Sequence, residues 1–183
     1  KATDGEVCYG GKNLLQLSEK DLFPYRKKLQ IIFQDPANSL NPRMLVKDIV
    51  GEGLRSFKMV TTKVEYEAKV TSVLEKVGLG SDTLHRYPHE FSGGQRQRIC
   101  IARALAVDPE FIVCDEATSA LDVSVQASIL NLLKDLQQEL GLTYLFITHD
   151  LSVVEYLSDR VAVMYLGQLV DEADTHELFT NPK

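Results

Sequence analysis

The 183 residues carry a formal net charge of −6, with 44% hydrophobic and 25% charged positions. That balance is of an ordinary globular chain, long enough to hide roughly 70% of its unfolded surface in one core. The acidic charge offers no bulk attraction to nucleic acid or anionic lipid, and no stretch approaches the roughly 18 consecutive apolar residues of a membrane-spanning helix.

Cys8, Cys100 and Cys114 are an odd set without CxxC-like spacing. They predict buried thiols in a reducing compartment, not a disulfide frame or zinc site. Glu6-Val7-Cys8-Tyr9 followed by Gly10-Gly11 predicts a short strand closing in a turn. Lys12 after Gly11 hints at a phosphate loop, but the pattern G-x-x-x-x-G-K-S/T would need glycine in place of Glu6 and a hydroxyl in place of Asn13. No other candidate for that loop occurs in the sequence.

Leu29-Gln30-Ile31-Ile32-Phe33 predicts a strand that ends at Gln34-Asp35-Pro36, because Pro36 disfavours helix at Asp35. On its own, Gln34 is a loop amide. From Val46 to Tyr87 the pattern turns helical. Val70, Val73, Leu74 and Val77 form an apolar stripe, and Gly78 is a natural stop. Lys63, Glu65, Glu67 and Lys69 form a solvated face, and His85 and His89 are loop residues without metal-like partners.

Ser92-Gly93-Gly94-Gln95 precedes a run that puts Ile99, Ala102, Leu105 and Ala106 on one helical face. Glycines at such a helix start let an anion approach free backbone N–H groups. The same four residues form a capping box, which needs no ligand. Asp108-Pro109 stops the helix, and Phe111-Ile112-Val113-Cys114 predicts a strand buried on both faces. Asp115 and Glu116 then fall at its C-terminal end, where open α/β sheets place their ligands, or simply begin a polar loop. Val125, Ile129, Leu132, Leu133, Leu136 and Leu140 predict a packed helix stopped by Gly141. Tyr144-Leu145-Phe146-Ile147 predicts another buried strand, with Thr148-His149-Asp150 at its end and Asp150 suited to cap the next helix. A lone histidine there is more often structural than chemical. Val161–Tyr165, Gly167 and Leu169-Val170 predict a hairpin, and Asp174–Phe179 a last short helix.

The fixed order of Phe91-Ser92-Gly93-Gly94-Gln95, apolar strand, Asp115-Glu116 and Ser119-Ala120-Leu121-Asp122 resembles the ABC-type ATPase family. Phe91–Gln95 matches its signature motif (usually LSGGQ), Phe111–Glu116 its Walker B strand and Ser119–Asp122 its D-loop. Ala37–Met44 and Tyr87–Phe91 look like the oligopeptide and dipeptide permease subgroup, which also includes nickel importers. The resemblance implies an α/β fold: a partial RecA-like P-loop NTPase core with a mostly parallel sheet, an N-terminal antiparallel β remnant and an inserted helical subdomain. The corresponding segments are 1–45, 46–90 and 91–183 of one nucleotide-binding domain. It also implies that the phosphate loop lies upstream, that both ends are truncated, and that the chain alone has negligible ATPase activity.

Roles follow from the same resemblance. Glu116 would polarise the attacking water and His149 would sense the γ-phosphate. Gln34 and Asp115 would hold Mg²⁺. Ser92, Gly93, Gly94, Gln95 and Asp122 would contact ATP bound by the opposite subunit. The implied partners are a second ABC ATPase subunit arranged head to tail, membrane permease subunits and, indirectly, an extracytoplasmic solute-binding protein, with no nucleic acid. The implied location is the cytoplasmic face of the cell membrane. An ATPase of DNA repair or chromosome organisation shares these motifs, but it would carry a long coiled-coil or zinc insertion that is missing here. A non-catalytic interaction module is a third alternative, against which intact Glu116 and His149 argue.

Overall fold

The computed structural model describes residues 4–180. Strands β1 (Cys8–Tyr9) and β2 (Lys12–Asn13) pair as an antiparallel hairpin. Its turn uses Gly10 and Gly11 at φ +57° and +76°, angles open to residues without a Cβ. Ser18 caps α1 (Glu19–Lys28), its Oγ accepting the Asp21 N–H at 3.3 Å. No apolar stripe announces this helix in the sequence, because none of its residues is buried and Pro24 sits inside it. Strand β3 (Leu29–Ile32) follows directly, then the short α2 (Pro36–Ser39). Asp35 caps α2 through the Ala37 N–H at 2.7 Å, and Pro36 occupies the first turn, where its missing donor costs nothing.

Helices α3 (Val46–Val50), α4 (Glu52–Ser56) and α5 (Lys63–Lys76) form the helical segment. A Thr62–Glu65 capping box starts α5, and Gly78 at φ +74° follows its end. Val70, Val73 and Leu74 are buried as their spacing predicts, each stabilising by roughly 1.5–3 kcal/mol relative to exposure. They pack with α6 (Gly93–Leu105), whose Ile99, Ile101 and Leu105 join the same core.

Strand β4 (Phe111–Asp115), α7 (Val123–Leu140) and β5 (Thr143–Ile147) complete a parallel three-stranded sheet in the order β3–β4–β5. Gln30 lies opposite Ile112, and Ile112 opposite Tyr144. This register puts Ile32, Ile112, Cys114, Tyr144 and Phe146 on one face, where the Tyr144 hydroxyl donates to the Leu133 carbonyl of α7 at 3.1 Å. The other face leaves Ile31, Leu145 and Ile147 between 38% and 50% exposed. The expectation of strands buried on both faces is therefore corrected: α6 and α7 both pack on one side. Helix α8 (Leu151–Leu157) leads to the hairpin β6 (Arg160–Tyr165) and β7 (Gln168–Asp174), a separate antiparallel sheet, and α9 (Thr175–Thr180) ends the described fold.

The α/β class, the parallel sheet, the N-terminal antiparallel piece and the helical insertion all appear as expected. One thiol does not: Cys8 is exposed, while Cys100 and Cys114 are buried. The expectations about the chain ends fall on residues 1–3 and 181–183, outside the described residues.

Candidate active site at the end of the parallel sheet

The C-terminal ends of β3, β4 and β5 bring three distant side chains together. Glu116 follows β4 directly, and its N–H donates to the Ile147 carbonyl at 2.9 Å, extending the ladder to β5. Its φ of +45° is uncommon for a residue with a side chain and costs about 1–3 kcal/mol, the kind of strain found at functional sites. Gln34, two residues beyond β3, donates from Nε2 to Glu116 Oε2 at 2.6 Å and to Ser119 Oγ at 3.3 Å. His149, two residues beyond β5, places Nδ1 3.3 Å from Glu116 Oε1. Ser119 Oγ donates back to the Glu116 carbonyl at 3.0 Å, tightening the turn. Both carboxylate oxygens of Glu116 are thus engaged. The group is open to solvent, with the His149 side chain 75% exposed and that of Glu116 29%.

Ser119 is the member of this cluster to which the sequence assigns no role of its own; its place in Ser119–Asp122 was the available signal. Asp115 is half-buried at the tip of β4, beside Glu116. Asp122 caps α7: its carboxylate accepts the Val125 N–H at 3.0 Å and the Ser124 hydroxyl at 2.8 Å. These bonds, the backbone one first, hold its carboxyl below the usual range. Asp150 caps α8 in the same way, held low chiefly by the Ser152 N–H.

Ser92–Gln95 forms the complete capping box. Gln95 N–H donates to Ser92 Oγ at 3.3 Å, and Ser92 N–H to Gln95 Oε1 at 3.0 Å. The helix start rests on the beginning of α7: a Cβ at Gly93 would sit 3.6 Å from Leu121, and one at Gly94 would run into Val125. Ser92, Gly93 and Gln95 face solvent. They share no hydrogen bond with the Glu116 cluster among the described residues. The structure thus joins Gln34, Glu116 and His149, and keeps Ser92–Gln95 apart from them.

The ABC transporter family model matches residues 1–119. The chain belongs to the ABC transporter family. It is 60% identical over 183 residues to the oligopeptide transport ATP-binding protein OppF of Bacillus subtilis (strain 168), covering 100% of this chain and 60% of that protein. It is 54% identical over 180 residues to the dipeptide transport ATP-binding protein DppF of Lactococcus lactis subsp. cremoris (strain MG1363), covering 98% and 58%. Among solved structures, the dimeric, post-hydrolysis state of the ATP-binding cassette MJ0796 bound to ADP and Pi aligns with a TM-score of 0.81 at 31% identity, covering 94% of this chain and 74% of that one. The chain thus spans about 60% of the length of these curated relatives.

The donors at the sheet end suit a hard cation. Asp115 offers carboxylate oxygens, and the Gln34 amide oxygen takes no part in the bonds to Glu116 and Ser119. Among the described residues, no three His, Cys, Asp or Glu side chains cluster to hold a metal by themselves. Mg²⁺ suits such a place because it takes few protein ligands and completes its octahedron with water and phosphate oxygens.

Proposed function

We propose that the chain forms the signature and catalytic part of an ATP-hydrolysing subunit that energises a membrane importer of oligopeptides or dipeptides. The observation that carries this reading is the convergence of Gln34 and His149 on Glu116 at the end of a parallel sheet. Identity of 60% and 54% to proteins named for oligopeptide and dipeptide transport supports the substrate class.

Phosphoryl transfer to water needs charge neutralisation, a positioned water and a group to orient or deprotonate it. Asp115 and Gln34 would hold Mg²⁺, which supplies charge neutralisation at the phosphate oxygens. Glu116 would accept the proton of the attacking water. Gln34 and His149, each touching one of its oxygens, fix the carboxylate's orientation and would report whether a γ-phosphate is present. The exposed Ser92–Gln95 helix start would close over a triphosphate held by a second ATPase subunit, with its N–H groups facing the anion. That separation of roles supports a head-to-tail dimer. No described helix is long and apolar enough to cross a membrane, so coupling would run through permease subunits, with the chain at their cytoplasmic face. A solute-binding protein would act on those subunits from the other side.

The test is Glu116→Gln in the protein at the full length its gene encodes. ATP turnover should fall about 10²–10⁴-fold while ATP affinity is retained. Normal hydrolysis by that variant would remove Glu116 from this role.

A further inference from the structure

Helix α6 holds down nearly every polar side chain it carries. Arg96 donates to the Pro88 carbonyl at 2.9 Å, Arg98 to the Val77 carbonyl at 2.5 Å and Ser128 Oγ at 2.9 Å, and Arg103 to the Ser39 carbonyl at 2.6 Å. Gln97 is the exception. It is fully buried, and neither atom of its amide has a hydrogen-bond partner. Buried amides are nearly always paired, and leaving one unpaired is costly.

Its position explains what the amide is for. Gly93, Gln97, Cys100 and Ala104 follow at helical spacing along one stripe of α6. At the upper end, Gly93 lies against Leu121 of the loop that begins with Glu116. At the lower end, Arg103 is bonded to α2 and the Asp35 carboxylate acts on the Cys100 thiol, so this end faces the turn that begins with Gln34. Gln97 therefore lies between the two loops that carry Gln34 and Glu116. Ala117 and Thr118, next to Glu116, are buried as well.

We propose that Gln97 is a positioning residue whose buried amide bonds the backbone of these loops only in the hydrolysing state. This deepens the functional reading above and rests on it. A bond made in the working state alone lowers that state relative to the resting one, whereas a bond made in both would change nothing. The resting fold carries the unpaired amide as a bias toward the loop shift.

The experiment replaces Gln97 with methionine, an apolar side chain of similar length, in the protein at the full length its gene encodes and assembled with its partners. Gln97→Met should raise the thermal midpoint by about 2–5 °C, because an unpaired buried amide is removed. It should also lower kcat for ATP about tenfold at unchanged KM. A lowered midpoint would mean the amide is already bonded at rest, for instance by an internal water, and overturns the proposal. So does loss of folding in both Gln97→Met and Gln97→Leu. An active wild type matched by an equally active Gln97→Met removes the proposal alone, whereas a wild type without ATP hydrolysis removes the functional reading along with it.

Discussion

Gln34 Nε2 lies 2.6 Å from Glu116 Oε2, a bond that spans 82 positions of sequence. It ties the loop after β3 to the tip of β4, and Ser119 Oγ shares the same donor. With His149 on the other oxygen, the Glu116 carboxylate is fixed from both sides of the sheet end.

Gln34→Leu removes that bond from an exposed position, so stability should stay within about 0.5 kcal/mol of wild type. ATP turnover by the full-length protein should fall about 10²-fold, the scale of losing one preorganised polar contact in a reacting site. Thermal melting and steady-state kinetics on one preparation check both halves. A large loss of stability would make Gln34 a structural residue instead.

The two glycines of the signature should separate packing from function. A Cβ at Gly94 would collide with the stiff Val125 side chain, so Gly94→Ala should destabilise by about 1–3 kcal/mol, and adding Val125→Ala should restore much of it. At Gly93 the added methyl would meet Leu121 at an ordinary 3.6 Å. Gly93→Ala should therefore melt no lower than wild type, yet lose ATP hydrolysis because the methyl stands on the exposed face where a triphosphate would approach. Equal activity in Gly93→Ala would place the nucleotide elsewhere.

Acid sensitivity should trace to the helix caps. The Val125 N–H, then the Ser124 hydroxyl, hold the Asp122 carboxyl low. A carboxyl lowered by folding stabilises fully above its unfolded value, and that stabilisation is lost as pH falls through the folded value. Asn caps as well as Asp but does not titrate. Asp122→Asn should match wild type at neutral pH and show a shallower fall in unfolding midpoint from about pH 4 to pH 2. Parallel pH curves for the two proteins would count against the cap.

Thiol labelling reads the sheet packing directly. Burial pushes the Cys114 thiol up to about 12 and that of Cys100 up to about 11, whereas Cys8 is exposed. Near pH 8 a thiol reagent should modify Cys8 alone in the folded chain, and all three thiols in denaturant. Rapid native labelling of Cys114 would mean that the β4 face is not packed against α6 and α7.

The sequence by itself determined the features that rest on local chemistry. Ser92 and Gln95, Thr62 with Glu65, Gly78, Gly141, Pro36 and the short apolar strands are each written within a few residues. Capping, chirality and side-chain periodicity act over that range. The order of its motifs was enough to indicate the family. Tertiary structure alone decided the rest. Helix α1 has no buried stripe to betray it, and one-sided burial of β4 and β5 depends on where α6 and α7 pack. Glu116 meets Gln34 and His149 only because the parallel register aligns three strand ends that lie 82 and 33 positions apart. Gln97 reads in sequence as one more polar residue of a helix. Only the packing of two loops over α6 makes it a buried amide without a partner.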